Sequence, residues 1–181
     1  MPPRTANAHR TLVATPETPV DAARFRAALG RFPTGVALVT ADAGGTPRGL
    51  IVSSLASVSL RPPLVAFNPS RDSFTWSRMR RTGRFGVNVL GESHEAYVRA
   101  AAPAGADRFG AIAWSRTPGG VPRVAGAIAF LECEIDSEHR AGDHSIVVGR
   151  VLHAETAAGL PLLNWAGALG RLAPGHDTAT P

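Results

Sequence analysis

Four small hydroxyl residues, Ser53, Ser54, Ser57 and Ser59, stud two apolar, strand-like runs in the stretch RGLIVSSLASVSLRPPLVAFNPSRDSFT from Arg48 to Thr75. Short side chains keep the backbone open. A ligand can then approach main-chain N–H groups while each hydroxyl donates to a phosphate, a ribityl chain or a ring carbonyl. The run Ser70-Arg71-Asp72-Ser73-Phe74-Thr75 adds more hydroxyls and one guanidinium where a helix is predicted to begin, a place that favours anions. The combination suits a flat, phosphorylated ligand. On spacing alone, a Ser-rich edge strand followed by a helix cap explains the same residues nearly as well.

Other common chemistry is missing from the sequence. It contains no G-x-G-x-x-G, G-x-x-x-x-G-K-[ST], H-E-x-x-H or G-x-S-x-G motif, so the usual dinucleotide, phosphate-loop, zincin and esterase signatures are absent. The six histidines are scattered, and the nearest pair, His139 and His144, has no cysteine beside it, so no metal ligands are nominated. This favours a function in which a bound cofactor carries the chemistry and the protein supplies orientation.

The elements that must position these residues can be read from periodicity. A length of 181 residues with 44% hydrophobic content allows one good core and favours a single domain. A first helix is predicted from Thr18 as N-cap to about Arg31, with Phe25, Leu29 and Phe32 near one face. Strands are expected at 36–40, 49–53, 56–60 and 64–68, with Arg61-Pro62-Pro63 breaking the last two apart. A helix over 72–82 should stop at Gly83, followed by a strand at 85–90 and a short helix at 93–102. Residues 103–123 read as loop with a turn of helix around Phe109, and two strands, 128–136 and 145–155, close the pattern. Many even strands with few helices argue for an antiparallel barrel or sandwich rather than repeated βαβ units. The first seventeen residues and the tail from 174 to 181 lack periodicity and are expected to be poorly ordered, leaving 18–173 as the domain.

Composition narrows the function further. All 19 basic residues are arginine and the net charge is +5, yet only Arg78, Arg80 and Arg81 cluster, which reads as a solvated helix face rather than a nucleic-acid surface. The single cysteine, Cys133, rules out an intramolecular disulfide, and a reducing cytoplasm is the simplest compartment. In LECEID it shares a strand face with apolar residues and reads as core. No apolar leader and no stretch long enough to cross a bilayer is found, so neither secretion nor membrane spanning is expected.

In this order, FRAALGRFPTGVALVTA, RGLIVSSLASVSLRPPLVAFN, TGRFGVNVL, DRFGAIAW and GDHSIVVGRV resemble the flavin reductase family. These are split β-barrel, FMN-binding-fold proteins that act as the small reductase components of two-component flavin monooxygenases. The resemblance spans roughly 25–172. It implies a mainly β, α+β fold, a split antiparallel β-barrel with flanking short helices, assembled as a homodimer. It also implies reduction of FMN or FAD by NADH or NADPH and release of the reduced flavin to a monooxygenase. Carried over by residue, Thr34 would lie near the flavin, and Val52, Ser53 and Ser54 would line the ribityl chain and ring edge. Ser57, Val58 and Ser59 would offer backbone groups to the ring system. Ser70, Arg71, Ser73 and Thr75 match the phosphate-binding turn, Phe109 would touch the flavin's outer portion or serve as core, and His144 would position the nicotinamide. Relatives often carry an aromatic and hydroxyl pair where this chain has Leu55-Ala56, which would alter the surroundings of the flavin ring. A flavin- or haem-binding storage or sensor protein on the same barrel is the alternative reading, and a pyridoxamine phosphate oxidase-like enzyme a more distant one.

Overall fold

The computed structural model describes residues 20–101 and 107–173. Twelve strands and three short α-helices make it mainly β. The strands are β1 (Thr34–Gly35), β2 (Ala37–Asp42), β3 (Pro47–Val52), β4 (Ala56–Leu60), β5 (Pro63–Phe67), β6 (Arg84–Val89), β7 (Trp114–Arg116), β8 (Pro122–Val124), β9 (Ala129–Ala141), β10 (His144–Thr156), β11 (Leu163–Trp165) and β12 (Ala168–Gly170). The helices are α1 (Ala22–Leu29), α2 (Phe74–Met79) and α3 (Glu95–Ala101).

Seven strands form one antiparallel sheet in the order β3-β2-β6-β9-β10-β5-β4. Its two outermost strands, β3 and β4, are consecutive in the chain, and only Ser53, Ser54 and Leu55 lie between them. Laid flat, seven strands would hold their outer members about 29 Å apart at the usual strand spacing. The link from Val52 to Ala56 reaches at most about 15 Å, four Cα–Cα steps. The sheet must therefore curl until its ends meet, which is the split barrel expected from the sequence. The seam lies between β3 and β4.

Burial follows the pleat. In β2 the residues Ala37, Val39 and Ala41 enter one apolar cluster with Phe67, Phe85, Val87, Cys133 and Val147, while Leu38, with Val36 just before the strand, enters a second with Leu90, Tyr97, Val98 and Leu162. Alternate side chains of one strand thus feed two cores. Burial pushes the Cys133 thiol up to about 12, as suits a core residue rather than a nucleophile. Between the layers, buried Asn88 donates from Nδ2 to the Leu38 carbonyl at 3.0 Å and accepts from the Val124 N–H at 2.8 Å, pinning β8 over the sheet.

The first cluster also holds α2. Phe67, at the end of β5, meets Trp76 edge-on at 5.1 Å and Phe85 at 5.4 Å. These contacts fix the chain from Phe67 to Trp76, the segment that carries the hydroxyl-rich turn.

Several boundaries differ from the sequence reading. Thr18 and Pro19 lie outside the described residues, and α1 is capped instead by Asp21, whose carboxylate accepts from Arg24 N at 2.8 Å. No residue of α1 is buried, so Phe25 and Leu29 face outward, as does Phe32 just beyond it. The 72–82 helix is shorter: α2 begins after the Ser73 cap and passes into a 3-10 turn, Arg80–Thr82, that ends at Gly83 with φ 71°. No helical turn forms at Phe109, and the expected loop contains the β7–β8 hairpin. Two further short strands, β11 and β12, form a sheet with β1. The terminal segments 1–17 and 174–181 lie outside the described residues. Among the described residues no helix is long and apolar enough to cross a membrane.

Replacing Phe67 with Ala removes the hub of the aromatic cluster and is expected to cost about 3–5 kcal/mol, because surrounding rings cannot fill the space. Urea unfolding measures it; a loss below about 1 kcal/mol would show that α2 does not depend on this packing.

Candidate functional site

The seam opens into a cavity of about 660 Å³ lined by Thr34, Leu50, Val52, Ser53, Ser54, Leu55, Asn68, Pro69, Ser70, Ser73 and His144 among others. Its first wall is the link itself. Ser54 Oγ accepts from the Asn68 N–H at 2.9 Å, which ties the link to the end of β5. Ser53 Oγ accepts from Asn164 Nδ2 at 3.3 Å, and Asn164 is paired in register with Thr34 across β1 and β11. Short side chains at 53 and 54 are what let three residues cross the seam with their polar groups satisfied.

The second wall is the turn after β5. Ser73 N donates to the Ser70 carbonyl at 3.1 Å, closing the turn, and the Ser73 hydroxyl accepts from Trp76 N at 3.1 Å to cap α2. Two backbone bonds clamp the turn onto the tip of the β9–β10 hairpin: Arg71 N to the Asp143 carbonyl and Ser145 N to the Pro69 carbonyl, both 3.0 Å. Ser70 and His144 form an isolated antiparallel bridge, which places the imidazole at the cavity beside the hydroxyls. His144 Nδ1 donates to Asp143 Oδ1 at 2.8 Å, so Nε2 remains the nitrogen available to a ligand. That hydrogen bond, with the charge of the imidazole, holds the Asp143 carboxyl below its ordinary range.

The polar inventory of the cavity is hydroxyls, one amide, one imidazole and backbone groups, with no lining carboxylate. One atom stands out. Thr34 Oγ1 is buried and has no hydrogen-bond partner. A buried hydroxyl normally finds one, so this atom is a place where an incoming acceptor or donor completes the structure. Leu50, Val52 and Leu55 add apolar lining to the same cavity.

Seven of the residues named from the sequence, Thr34, Val52, Ser53, Ser54, Ser70, Ser73 and His144, therefore line one cavity. The others do not. Ser57, Val58 and Ser59 sit on β4 at the edge of the sheet, where Val58 is the extra residue of a bulge and Ser59 Oγ accepts from Arg61 N at 3.2 Å. Thr75 is half-buried in the first turn of α2. Arg71 lines a neighbouring cavity, its guanidinium donating to the Gly142 carbonyl at 3.1 Å. Phe109, half-buried, packs edge-on against Trp114 at 5.3 Å, over β3 at Gly49. The sequence reading missed Leu29, Phe32, Asn68 and Pro69 on the rim and Asn164 behind Ser53. Asn164 carries no local signal, since only the pairing of β1 with β11 brings it to the site.

The chain matches the family described as the flavin reductase like domain over residues 29–173, and it belongs to that family. It is 42% identical over 133 residues to a flavin reductase of Pseudomonas putida, covering 73% of this chain and 78% of that one. It is 36% identical over 163 residues to the flavin-dependent monooxygenase reductase subunit HsaB of Rhodococcus jostii, covering 90% and 84% respectively. The solved structure of the Streptomyces globisporus C-1027 NADH:FAD oxidoreductase SgcE6 in complex with NAD and FAD fragments is 37% identical. It superposes with a TM-score of 0.81 over 87% of this chain and 96% of that one.

Because Thr34 Oγ1 has no partner, Thr34→Val is expected to leave stability unchanged or raise it by up to about 1 kcal/mol, the cost of an unsatisfied buried hydroxyl. Thermal unfolding of the ligand-free protein measures this. A fall of more than about 1 kcal/mol would show that the hydroxyl is bonded in solution.

Proposed function

We propose that this chain is an NAD(P)H:flavin oxidoreductase that reduces FMN or FAD and supplies the reduced flavin to a flavin-dependent monooxygenase. NADH is the expected donor and NADPH the alternative. The observation that carries this reading is the seam cavity, which is lined by an unpartnered Thr34 hydroxyl, several serines, one imidazole and the apolar Leu50, Val52 and Leu55. The cavity holds no cysteine and no lining carboxylate, as suits chemistry supplied by a bound group.

When bound, a flavin supplies the hydride-accepting centre. The chain's own residues bind and orient. Leu50, Val52 and Leu55 give the ring a dry surface; Thr34, Ser53 and Ser54 offer hydroxyls to its polar edge; Ser70 and Ser73 offer hydroxyls to the 5′-phosphate. His144, held by Asp143 through Nδ1, would have Nε2 free to position a nicotinamide at the cavity.

The exposed apolar face of α1 supports assembly as a homodimer. Phe25, Leu29 and Phe32 are 57%, 56% and 72% exposed, and Val58 and Leu60 add apolar surface on the edge strand β4. Leu29 and Phe32 rim the cavity, so a second copy seated on α1 would also shield its mouth. A single cysteine held reduced in the core accords with a cytoplasmic setting.

The test is NADH oxidation by purified protein without flavin, with FMN and with FAD, repeated with NADPH. Turnover should require added or bound flavin; a tightly bound flavin with no turnover would replace this reading with storage or sensing. For His144→Ala the rate is expected to fall at least about tenfold with flavin KM changed less than about twofold, the signature of lost positioning rather than lost binding. Unchanged turnover would remove His144 from the mechanism.

A further inference from the structure

Four serine hydroxyls of the seam cavity already accept a hydrogen bond from the protein. Ser54 accepts from the Asn68 N–H at 2.9 Å, Ser53 from Asn164 Nδ2 at 3.3 Å, Ser73 from the Trp76 N–H at 3.1 Å and Ser70 from the Asp72 N–H at 3.3 Å. None of the four donates to another group among the described residues. The hydrogen of each hydroxyl is therefore unspent and available to a ligand acceptor. At the turn, Ser70 and Ser73 have a phosphate to answer in the reading given above. On the link, Ser53 and Ser54 do not, and they meet the polar edge of a ring. Charge is distributed as unevenly: among the described residues no guanidinium and no carboxylate lines this cavity, and the chain contains no lysine. Such walls answer a neutral ligand rich in acceptors, whereas an anionic one is buried there without a counter-charge.

Resting on the flavin reductase reading, we propose that the link wall discriminates between the redox states of the flavin, binding the oxidised ring in preference to the reduced one, with Ser54 as the specificity-determining residue. The oxidised ring is neutral and carries several acceptors, ring nitrogens and carbonyl oxygens, against a single N–H. Two-electron reduction adds a hydrogen at N5 and at neutral pH leaves a negative charge centred on N1. The hydroxyl hydrogens of Ser53 and Ser54 then meet a ring with one acceptor fewer and one donor more, and its charge finds no cationic arginine or lysine in the wall. A donor set against a donor, once the ring has excluded water, loses its bond outright. His144, on the other wall, spends its Nδ1 hydrogen on Asp143. One site thus holds the substrate form and sheds the product form.

The test measures the affinity of both redox states, with FMN and again with FAD, in air for the oxidised form and under dithionite without oxygen for the reduced form, together with the midpoint potential of the bound flavin. Reduced FMN should bind at least about tenfold more weakly than oxidised FMN, which by linkage lowers the potential of the bound flavin by at least about 30 mV relative to free flavin. Ser54→Ala should weaken oxidised FMN about three- to tenfold, the scale of one neutral hydrogen bond, move the reduced form less than about twofold and raise the potential toward that of free flavin. Ser54→Thr, which keeps the hydroxyl, should restore the wild-type values, and Ser53→Ala should act in the same direction as S54A. Folding of each variant is checked by thermal unfolding, because both serines also answer protein N–H groups. A merely structural defect weakens the two redox states alike and leaves the potential where it was. The proposal is overturned if the bound potential equals or exceeds that of free flavin, or if S54A and S53A weaken both states equally. A protein that discriminates as described but oxidises no NADH with either flavin would defeat the reductase reading and leave the discrimination intact.

Discussion

The three-residue link between β3 and β4 is the constraint on which the rest of the molecule depends. It forces the outer strands of a seven-stranded sheet together without letting them pair, so a cleft remains where a closed barrel would have a ladder. The link must cross that cleft with its backbone exposed on one side and its polar groups answered on the other. Serine at 53 and 54 does this, one hydroxyl accepting from the Asn164 amide and the other from the Asn68 N–H. Larger side chains would fill the opening they span. The hydroxyls first noticed as potential ligand contacts are therefore also what makes the seam possible.

Around that seam the structure divides rigidity unevenly. The turn carrying Ser70 and Ser73 is clamped by an aromatic cluster beneath and by backbone bonds to the β9–β10 tip above, so its hydroxyls and the His144 ring are fixed relative to each other. The opposite side is held by the small sheet of β1, β11 and β12, and the segment beyond β12 is tied to α3 by Arg171, which donates to Glu95 Oε2 at 2.8 Å. Arg99 shares that carboxylate, and the two hydrogen bonds hold the Glu95 carboxyl below its ordinary range. Its stabilising effect is present above the unfolded carboxylate's pKa and fades as pH falls through the lower folded value. As an exposed pair it is a weak tie. His144 thus sits on the firm wall, while Thr34 and Asn164 belong to the more lightly anchored one.

What the sequence made legible was local. Alternation at 56–60 placed β4 as observed, Arg61-Pro62-Pro63 separated it from β5, and Gly83 marked the stop with its positive φ. Hydroxyls adjacent in sequence, such as 53 and 54 or 70 and 73, were found together because a strand end and a tight turn keep neighbours together. The misses arise from pairings between distant segments. Thr34 meets Asn164 across 130 positions of chain, and no periodicity in either strand, two and three residues long, announces it. Phe25, Leu29 and Phe32 show core-like spacing yet face outward, because periodicity reports an apolar stripe and not what covers it. Edge position decided the remaining cases: Ser57 to Ser59 satisfy the same hydroxyl pattern as Ser53 and Ser54 but lie past the seam on β4.

The chemistry of the walls also bears on how a ligand would reside here. Neutral hydroxyls contribute roughly 0.5–1.5 kcal/mol each in net terms, since water answers them equally well when the ligand leaves. A cavity of this kind offers shape and a modest summed affinity, with no buried charge to trap an anion. The guanidiniums of Arg71 and Arg140 lie outside it, across the turn, where solvent screens them. Such a division keeps the seam cavity a place of shape and neutral hydrogen bonding and leaves the guanidinium charge on the other side of the turn. A ligand held in the seam cavity by shape and neutral hydrogen bonds can leave without breaking an ion pair.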